Sequence, residues 1–330
     1  GPGGRVTDRM TQTPSGRVHL VAIVGPTAVG KTSLGVRLGE ALRSGDWPVQ
    51  GAEIVSADSR QIYRWMDIGT AKATAEEQAA VRHHLIDVVA PDERLTLAHY
   101  QVLAGRVIRD IWDCGLLPIL VGGTGLYVRA LLEGWTIPQA PPDEALRARL
   151  QEEAEAHGAE ALHRRLAAVD PAAAASIDLR NVRRVIRALE IHEQTGRPAS
   201  QLQRREPPDW AVLRIGLTMP RPALYRRIDA RIEAMMAQGL EAEVRDLIER
   251  GYGLDLPAMS GLGYRQIGQY LQGDVPLDEA VALIKRHTRR FVRQQYSWFR
   301  LDDPDIRWYD AGDLDIHAVL ADVRAFLAQP

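Results

Sequence analysis

The residues with the clearest chemistry lie near the start of the chain, in segment 25–32. Its sequence, GPTAVGKT, fits the pattern G-x-x-x-x-G-K-[ST], which is typical of loops that wrap a chain of phosphates. Two glycines permit backbone angles that side chains forbid, so several N–H groups can point towards one anion. Lys31 adds a positive charge, and Thr32 adds a hydroxyl for Mg²⁺. The segment therefore predicts a diphosphate or triphosphate site.

The neighbouring elements support this interpretation of the loop. Residues 19–24 are apolar after His19 and predict a buried strand, and residues 32–42 have the apolar spacing of an amphipathic helix. A second apolar run at 53–55 predicts another strand, so the unit is β-α-β and the sheet is parallel. Asp58 follows that second strand, at the sheet edge where ligands of α/β proteins lie. The alternative role for Asp58 is a turn residue or helix N-cap.

Later patterns divide the chain into segments. Apolar runs predict strands at 83–89, 117–121, 212–218 and around 308–309, and helices at 96–112, 224–237, 277–299 and 316–327. Adjacent side chains on a strand face opposite ways, so we interpret His83 and His84 as structural residues rather than metal ligands. Between two proline clusters the chain is rich in Ala, Glu, Arg and Leu. We therefore predict a core of 18–135 and 207–330, a helical insertion of 136–206, and a tag with a disordered tail over 1–17.

Composition restricts the class of protein. The 330 residues are 45% hydrophobic and 25% charged, with a net charge of −2, which is ordinary for a globular protein. The single cysteine, Cys114, excludes an internal disulfide and a cysteine-based zinc finger. No apolar run reaches the roughly 18 residues of a membrane helix, and no signal peptide is visible. We therefore expect a cytoplasmic protein that does not contact membranes.

Two basic segments stand out against this near-neutral background. One carries Arg183, Arg184 and Arg187 in the predicted insertion, and the other is the helix at 277–299, which also ends in aromatic residues. A basic helix with aromatics can bind phosphates and stack bases. The alternative, which is common for a single run of charges, is a solvated and salt-bridged helix face.

Several motifs together match one family in order. They are GPTAVGKT at 25–32, SADSRQIY at 56–63, MDIGTAK at 66–72, VGGTGLY at 121–127, RRVIRALE at 183–190 and GYRQ at 263–266. On these motifs the chain resembles the tRNA dimethylallyltransferases, also called tRNA isopentenyltransferases. The resemblance implies a P-loop NTPase-like α/β fold, with a parallel sheet flanked by helices and an all-helical insertion domain. It also implies transfer of a dimethylallyl group from its diphosphate to the exocyclic amine of the adenine 3′ of the tRNA anticodon.

The resemblance also assigns roles to residues. It implies Asp58 as the catalytic base, with Lys31 and Thr32 acting on the diphosphate and Thr32 on Mg²⁺. The predicted contacts of dimethylallyl diphosphate are Gly25, Pro26, Thr27, Ala28, Val29, Gly30, Lys31, Thr32 and Arg231. The predicted contacts of the tRNA anticodon stem-loop are Asp58, Ser59, Arg60, Gln61, Thr124, Arg147, Arg183, Arg184, Val185, Ile186, Arg187, Ser260, Gly261, Leu262, Gly263, Tyr264 and Arg265.

Two features of the sequence differ from other members of the family. Trp65 lies where the family more often has glycine, and no Cys/His finger follows the core, so the chain is similar to the compact bacterial form. We expect a monomer. Two other classes stay open on the residues alone: a small-molecule or nucleoside kinase that uses the loop for ATP, and an NTP-dependent RNA-binding switch without catalysis.

Overall fold

The structure, a computed structural model, describes residues 16–138 and 140–330. Most of the predicted tag and tail therefore lies outside the described residues. The chain forms two compact units, one from residues up to Val128 together with Asp209–Pro330, and one from Arg129–Pro208. The predicted insertion of 136–206 falls within the second unit.

A parallel sheet forms the centre of the first unit. Its strands are β1 (Val18–Val24), β2 (Ala52–Ser56), β3 (His83–His84), β4 (Leu117–Val121), β5 (Trp210–Thr218) and β6 (Ile306–Asp310). Their order in the described residues is β3-β2-β4-β1-β5-β6, with every neighbouring pair parallel. All residues of β1 and β4 are buried, as expected for central strands covered by helices on both faces. The mixed α/β class predicted from sequence is confirmed.

The helices of the first unit connect these strands. They are α1 (Lys31–Ala41), α2 (Ala75–Ala80), α3 (Leu97–Asp113), α4 (Gly125–Leu132, which crosses into the second unit), α10 (Arg221–Gln238), α11 (Leu240–Glu249), α12 (Tyr264–Leu271), α13 (Leu277–Trp298) and α14 (Ile316–Leu327). Short 3-10 helices cover Pro257–Ser260 and Ala311–Asp313. The side chain of Thr96 caps α3 by accepting a hydrogen bond from the N–H of His99, which explains why the helix begins there.

The strand predicted at 83–89 is wrong beyond its first two residues. Leu85 and Asp87 have φ values of 65° and 55°, a left-handed backbone that regular strands do not have. The chain turns there, and the N–H groups of Val88 and Val89 bond to the carbonyl of Ile62 instead. The apolar residues of this segment therefore belong to a turn that is hydrogen-bonded to the loop after β2 and not to a longer strand.

The second unit is helical. Its helices are α5 (Glu144–His157), α6 (Ala159–Val169), α7 (Pro171–Ser176), α8 (Val182–Thr195) and α9 (Ala199–Leu202). Asp143, Asp170 and Asn181 cap α5, α7 and α8 with side-chain oxygens. Asp170 is buried and also accepts hydrogen bonds from the N–H and hydroxyl of Ser200, so one carboxylate joins α7 to α9. Leucine, isoleucine and alanine side chains from all five helices form a separate core.

Candidate active site at the phosphate loop

The predicted phosphate loop connects the end of β1 to the start of α1. Gly25 has a φ of 142°, and a side chain there would collide with the carbonyl of Leu217 on β5. Gly30 has a φ of 99° directly before the helix, and Ala28 has a φ of 65° between them. The backbone therefore curls as the two glycines predict, and Ala28 takes up a left-handed angle that its residue type does not favour.

Lys31 lies at the first turn of α1 and points back into the loop. Its Nζ donates hydrogen bonds to the carbonyls of Gly25 at 3.0 Å and Pro26 at 2.8 Å. Burial lowers the pKa of Lys31 to about 7, while the Asp58 carboxylate acts to raise it and Arg231 to lower it. An anion placed beside this amine would favour its charged form, because an opposite charge stabilises the ammonium ion.

Asp58 lies two residues beyond β2 and forms a tight turn. Its Oδ1 accepts hydrogen bonds from the N–H groups of Arg60 at 2.7 Å and Gln61 at 3.1 Å. Such a turn agrees with the structural alternative that the sequence left open. Both bonds use Oδ1, and the side chain is half-exposed. The turn therefore fixes the direction of the carboxylate and is compatible with a role in chemistry.

The turn of Asp58 is joined to the glycine-rich end of β4. The N–H of Ser59 donates to Oγ1 of Thr124 at 3.0 Å, and the N–H of Thr124 bonds to the carbonyl of Ala57. A side chain at Gly122 would collide with that same carbonyl. The glycines predicted to permit close approach therefore let the ends of β2 and β4 touch.

Three cavities meet around these elements. A small cavity of about 180 Å³ is lined by the phosphate loop and by Lys31, Thr32, Asp58, Gln61 and Arg231. The predicted ligands of the diphosphate and the predicted base thus converge on one space. A cavity of about 470 Å³ lies beside Val29, Gly30, Arg227 and Arg231.

The largest of these three cavities, of about 520 Å³, has a polar part and an apolar part. Its polar lining includes Thr27, Lys31, Asp58, Ser59, Arg60, Thr124, Arg231, Ser260, Gly261, Gly263 and Arg265, and Ala28 and Leu262 also line it. Its apolar lining includes Ile228, Ile232, Met235, Ile284, Phe291 and Trp298. Charged and apolar recognition are therefore available side by side.

Arg231 links these spaces from α10. The side chain lines all three cavities. Burial lowers its pKa, and the neighbouring Arg227 lowers it further. Arg227 in turn donates to the carbonyl of Val29 at 3.2 Å. The half-buried guanidinium of Arg231 therefore lies at the same cavities as the half-buried amine of Lys31.

Several predicted tRNA contacts have structural roles within the helical unit. Val185 and Ile186 are buried in the core of the helical unit, so their side chains do not face solvent. Arg147 and Arg187 both bind the buried carboxylate of Glu190, Arg147 with two hydrogen bonds of 2.7 Å and 2.9 Å. These residues hold α5 and α8 together. Arg183 and Arg184 are exposed, in contrast, and remain predicted contacts.

Tyr264, another predicted tRNA contact, has a partner within the protein. Its side chain is only 1% exposed, and its hydroxyl donates to Glu243 at 2.7 Å. Tyr264 also lines the large cavity, so it forms part of the cavity wall and its hydroxyl is already bonded to Glu243. Its neighbour Arg265 is exposed and keeps the predicted role.

Gln295 is a residue at this site that sequence reasoning missed. It is buried on α13, where its Oε1 accepts the N–H of Thr27 at 2.8 Å and its Nε2 donates to the carbonyl of Gly123 at 3.3 Å. One amide therefore joins the phosphate loop to the loop after β4. The available signal was a polar side chain on the apolar stripe of an amphipathic helix, in line with Thr288 and Val292.

The fold and the cavities together define a class. A phosphate loop at the end of a central parallel strand, buried cations, a carboxylate at the next strand end and an apolar pocket describe an α/β enzyme that transfers an apolar group from a phosphate ester.

Comparisons with known proteins give the family. The family model described as IPP transferase matches residues 61–302. A tRNA dimethylallyltransferase of Roseiflexus sp. (strain RS-1) is 55% identical over 283 residues, covering 86% of this chain and 90% of that protein. The crystal structure of the tRNA isopentenylpyrophosphate transferase of Bacillus halodurans has 42% identity and a TM-score of 0.67, covering 94% of this chain and 96% of that one. A eukaryotic dimethylallyltransferase acting on tRNA shares the fold, with a TM-score of 0.73 at 24% identity.

The chain belongs to the IPP transferase family, alongside relatives named tRNA dimethylallyltransferase. This confirms the resemblance stated from the motifs and favours prenyl transfer over the kinase alternative. Among the described residues, no helix has both the length and the apolar character that crossing a membrane requires.

Proposed function

We propose that this protein transfers a dimethylallyl group from dimethylallyl diphosphate to the exocyclic amine of the adenine 3′ of the tRNA anticodon. The observation that carries the proposal is the small cavity in which Lys31, Thr32, Arg231 and Asp58 converge beside a larger, partly apolar one. Relatives with high identity bear the name of this activity. We further propose that the enzyme acts as a cytoplasmic monomer.

The donor's diphosphate binds at the phosphate loop. As the bond between the allylic carbon and its oxygen breaks, the leaving diphosphate gains negative charge. Lys31 and Arg231 supply positive charge at that point, and the N-terminus of α1 adds its dipole. Because burial depresses the pKa of both side chains, each gains more from a neighbouring anion than an exposed cation would.

The donor's hydrocarbon part binds along the apolar lining of the large cavity. Ile228, Ile232 and Ile284 there are each no more than 3% exposed, so they form a fixed wall. A five-carbon chain of this kind has no hydrogen-bonding group, and burial against such a wall is its only source of affinity. About 25 cal/mol is gained for each Å² of apolar surface removed from water.

Magnesium fits the residues at the loop. Among the described residues no three His, Cys, Asp or Glu side chains cluster as a metal site. Mg²⁺ commonly uses one or two protein oxygens together with substrate phosphates, and Thr32 offers such a hydroxyl in the small cavity. When bound, Mg²⁺ would supply charge stabilisation to the departing diphosphate.

Asp58 acts on the acceptor. The new bond joins the adenine's exocyclic nitrogen to the allylic carbon, the carbon–oxygen bond to diphosphate breaks, and one proton leaves the nitrogen for the Asp58 carboxylate. An aromatic amine is a weak nucleophile, so removal of its proton helps. The adenine must first leave its stack to reach this carboxylate, as an unpaired loop base can.

The tRNA binds near the mouth of the large cavity. Phe291 and Trp298 on α13 are exposed and line that cavity, and the exposed Arg290 lies beside them. Aromatic rings can stack on unpaired bases, and arginine can bind backbone phosphates. We assign contacts with the tRNA also to Arg60, Arg265, Ser59 and Thr124, which line the same cavity.

A transfer assay tests the proposal. Purified protein with labelled dimethylallyl diphosphate, Mg²⁺ and unmodified tRNA should give labelled tRNA and release diphosphate. Isopentenyl diphosphate, the non-allylic isomer, is the matched control, because it cannot form an allylic cation and should give no product. Phosphate transfer from ATP to a small molecule, with no labelled tRNA, would instead establish a kinase.

A further inference from the structure

The carboxylate of Glu243 lies inside a ring of hydrogen-bond donors. Its Oε1 accepts the N–H of Asp67 at 2.8 Å and that of Ile68 at 2.9 Å. Its Oε2 accepts the N–H of Gly69 at 3.2 Å and the hydroxyl of Tyr264 at 2.7 Å. Three consecutive backbone amides therefore form an anion nest that a side chain from α11 occupies.

The loop that Glu243 holds supports the turn of Asp58. Directly after the nest, the carbonyls of Thr70 and Ala71 accept hydrogen bonds from Nε2 of Gln61 at 3.1 Å and 3.4 Å. The backbone N–H of the same Gln61 donates to Oδ1 of Asp58. A short chain of contacts thus runs from Glu243 to the proposed base.

On its other side, Glu243 holds the glycine-rich turn before α12. Tyr264 closes that turn and packs on Gly69, where an added side-chain carbon would lie 2.5 Å from the phenol ring. Burial raises the pKa of Tyr264, and the Glu243 carboxylate raises it further, so the hydroxyl stays a donor. Segments 58–60 and 260–265 both line the large cavity. Glu243 bonds both to the loop at 67–69, which supports the turn of Asp58, and to Tyr264, which closes the turn before α12.

We propose that Glu243 is a positioning residue for prenyl transfer, holding the turn of Asp58 and the turn before α12 in the register that transfer requires. The inference rests on the proposed function, because it assumes that Asp58 accepts the adenine's proton. Glu243 itself touches neither substrate in this scheme. Its removal should therefore slow the chemical step and leave diphosphate binding intact.

The test compares Glu243→Gln with Glu241→Gln. Glu241 lies on the same helix and pairs with Arg245 at the surface, so it is a matched control. A misplacement of about 1 Å can cost on the order of a hundredfold in rate. We therefore expect single-turnover transfer by Glu243→Gln to fall about ten- to hundredfold. The Kd of dimethylallyl S-thiolodiphosphate, an unreactive analogue, should change less than about twofold.

A second readout does not depend on activity. Hydrogen exchange within the group of amides of Asp67, Ile68 and Gly69 should become faster in Glu243→Gln and stay unchanged in Glu241→Gln, because the variant replaces one of the two acceptor oxygens by an NH2 group. Tyr264→Phe removes one of the donors and keeps the ring, so it should give a smaller loss of rate. It provides the test if Glu243→Gln does not fold.

The outcomes separate the two proposals. If the unaltered protein and Glu241→Gln both transfer no prenyl group, the proposed function is wrong and this inference falls with it. If both transfer normally and Glu243→Gln does so too, only the inference is overturned. Equal losses of transfer and of analogue binding would also overturn it, since they would indicate general damage to the fold.

Discussion

The basic residues of the two units differ in what surrounds them. In the first unit, burial lowers the pKa values of Lys31 and Arg231 around a small cavity. In the helical unit, the hydrogen bond to Glu190 raises the pKa of Arg147. Glu190 is fully buried, and although burial opposes its charge, hydrogen bonds from Arg147, the Asp143 N–H and Arg187 lower its pKa to about 2. One group of cations gains from an added anion, and the other already has one.

This difference separates binding charge from structural charge. Cations whose charged form is disfavoured before a ligand arrives have free energy to gain from a phosphate. Cations already paired with a buried carboxylate gain less from a second anion, because much of their charge is already balanced. This difference supports the proposed substrate-binding role of Lys31 and Arg231, whereas Arg147 and Arg187 bind Glu190 within the fold.

The largest effect is expected at Asp58. Asn keeps the Oδ1 acceptor, so Asp58→Asn should preserve the turn made with Arg60 and Gln61. It removes the basicity, and base catalysis typically contributes about 10²–10⁴-fold. Single-turnover transfer should fall by about that factor, with tRNA binding and melting temperature close to those of the unaltered protein. Near-normal transfer would leave Asp58 with the turn alone.

Glu190→Gln should have the next largest effect, on stability. Removing one partner of a buried ion pair costs about 3 kcal/mol of unfolding free energy. The folded pKa of about 2 lies below the unfolded value, so the stabilisation is present above pH 4.5 and is lost as pH falls towards 2. In denaturant titrations, the unfolding free energy of Glu190→Gln should be lower than that of the unaltered protein at pH 7. The two values should converge near pH 2.

The control for this prediction is the exposed pair of Asp178 and Arg180 in the same unit. Asp178→Asn should leave the denaturation midpoint unchanged, because exposed ion pairs contribute little. If Glu190→Gln also leaves the denaturation midpoint unchanged, the ion pairs of Glu190 with Arg147 and Arg187 do not stabilise the helical unit as we predict.

Lys31→Ala should weaken diphosphate binding by about 10- to 100-fold, the usual loss of one charge-assisted hydrogen bond. Binding of tRNA should change little. Because the ligand-free pKa is about 7 and the diphosphate favours the charged amine, the affinity should be highest below pH 7 and fall as pH rises above it. Calorimetry between pH 6 and 8.5 measures the diphosphate affinity as a function of pH. The part of the pH dependence that comes from the Lys31 amine should be absent in Lys31→Ala. Equal losses for tRNA and diphosphate would argue against a separate phosphate role.

The sequence predicts correctly those segments whose local geometry depends on a short motif. Gly25 and Gly30 specify a curled loop by themselves, and the apolar run of β1 specifies a central strand. The structural roles of Arg147 and Arg187 could not be predicted in this way, because the burial of their shared partner Glu190 depends on the packing of α5 against α8. Gln295 was missed for the same reason: its two bonds reach residues more than 170 positions away. The end of β3 at His84 depends on turns that pair with the loop at 61–64.

The smallest predicted effect concerns the salt dependence of tRNA binding. Sequence alone groups Arg183, Arg184 and Arg187, but the structure leaves only the first two exposed and fixes Arg187 on Glu190. Each phosphate contact steepens the slope of log affinity against log salt by about 0.7–0.9. Replacing Arg183 and Arg184 by glutamine should flatten the slope by about 1.4–1.8 if both bind phosphate. Arg187→Gln should instead lower the melting temperature and leave the slope nearly unchanged. Filter binding from 50 to 300 mM salt measures this slope. If Arg187→Gln changes the slope and replacement of Arg183 and Arg184 does not, the assignment of structural and binding arginines is wrong.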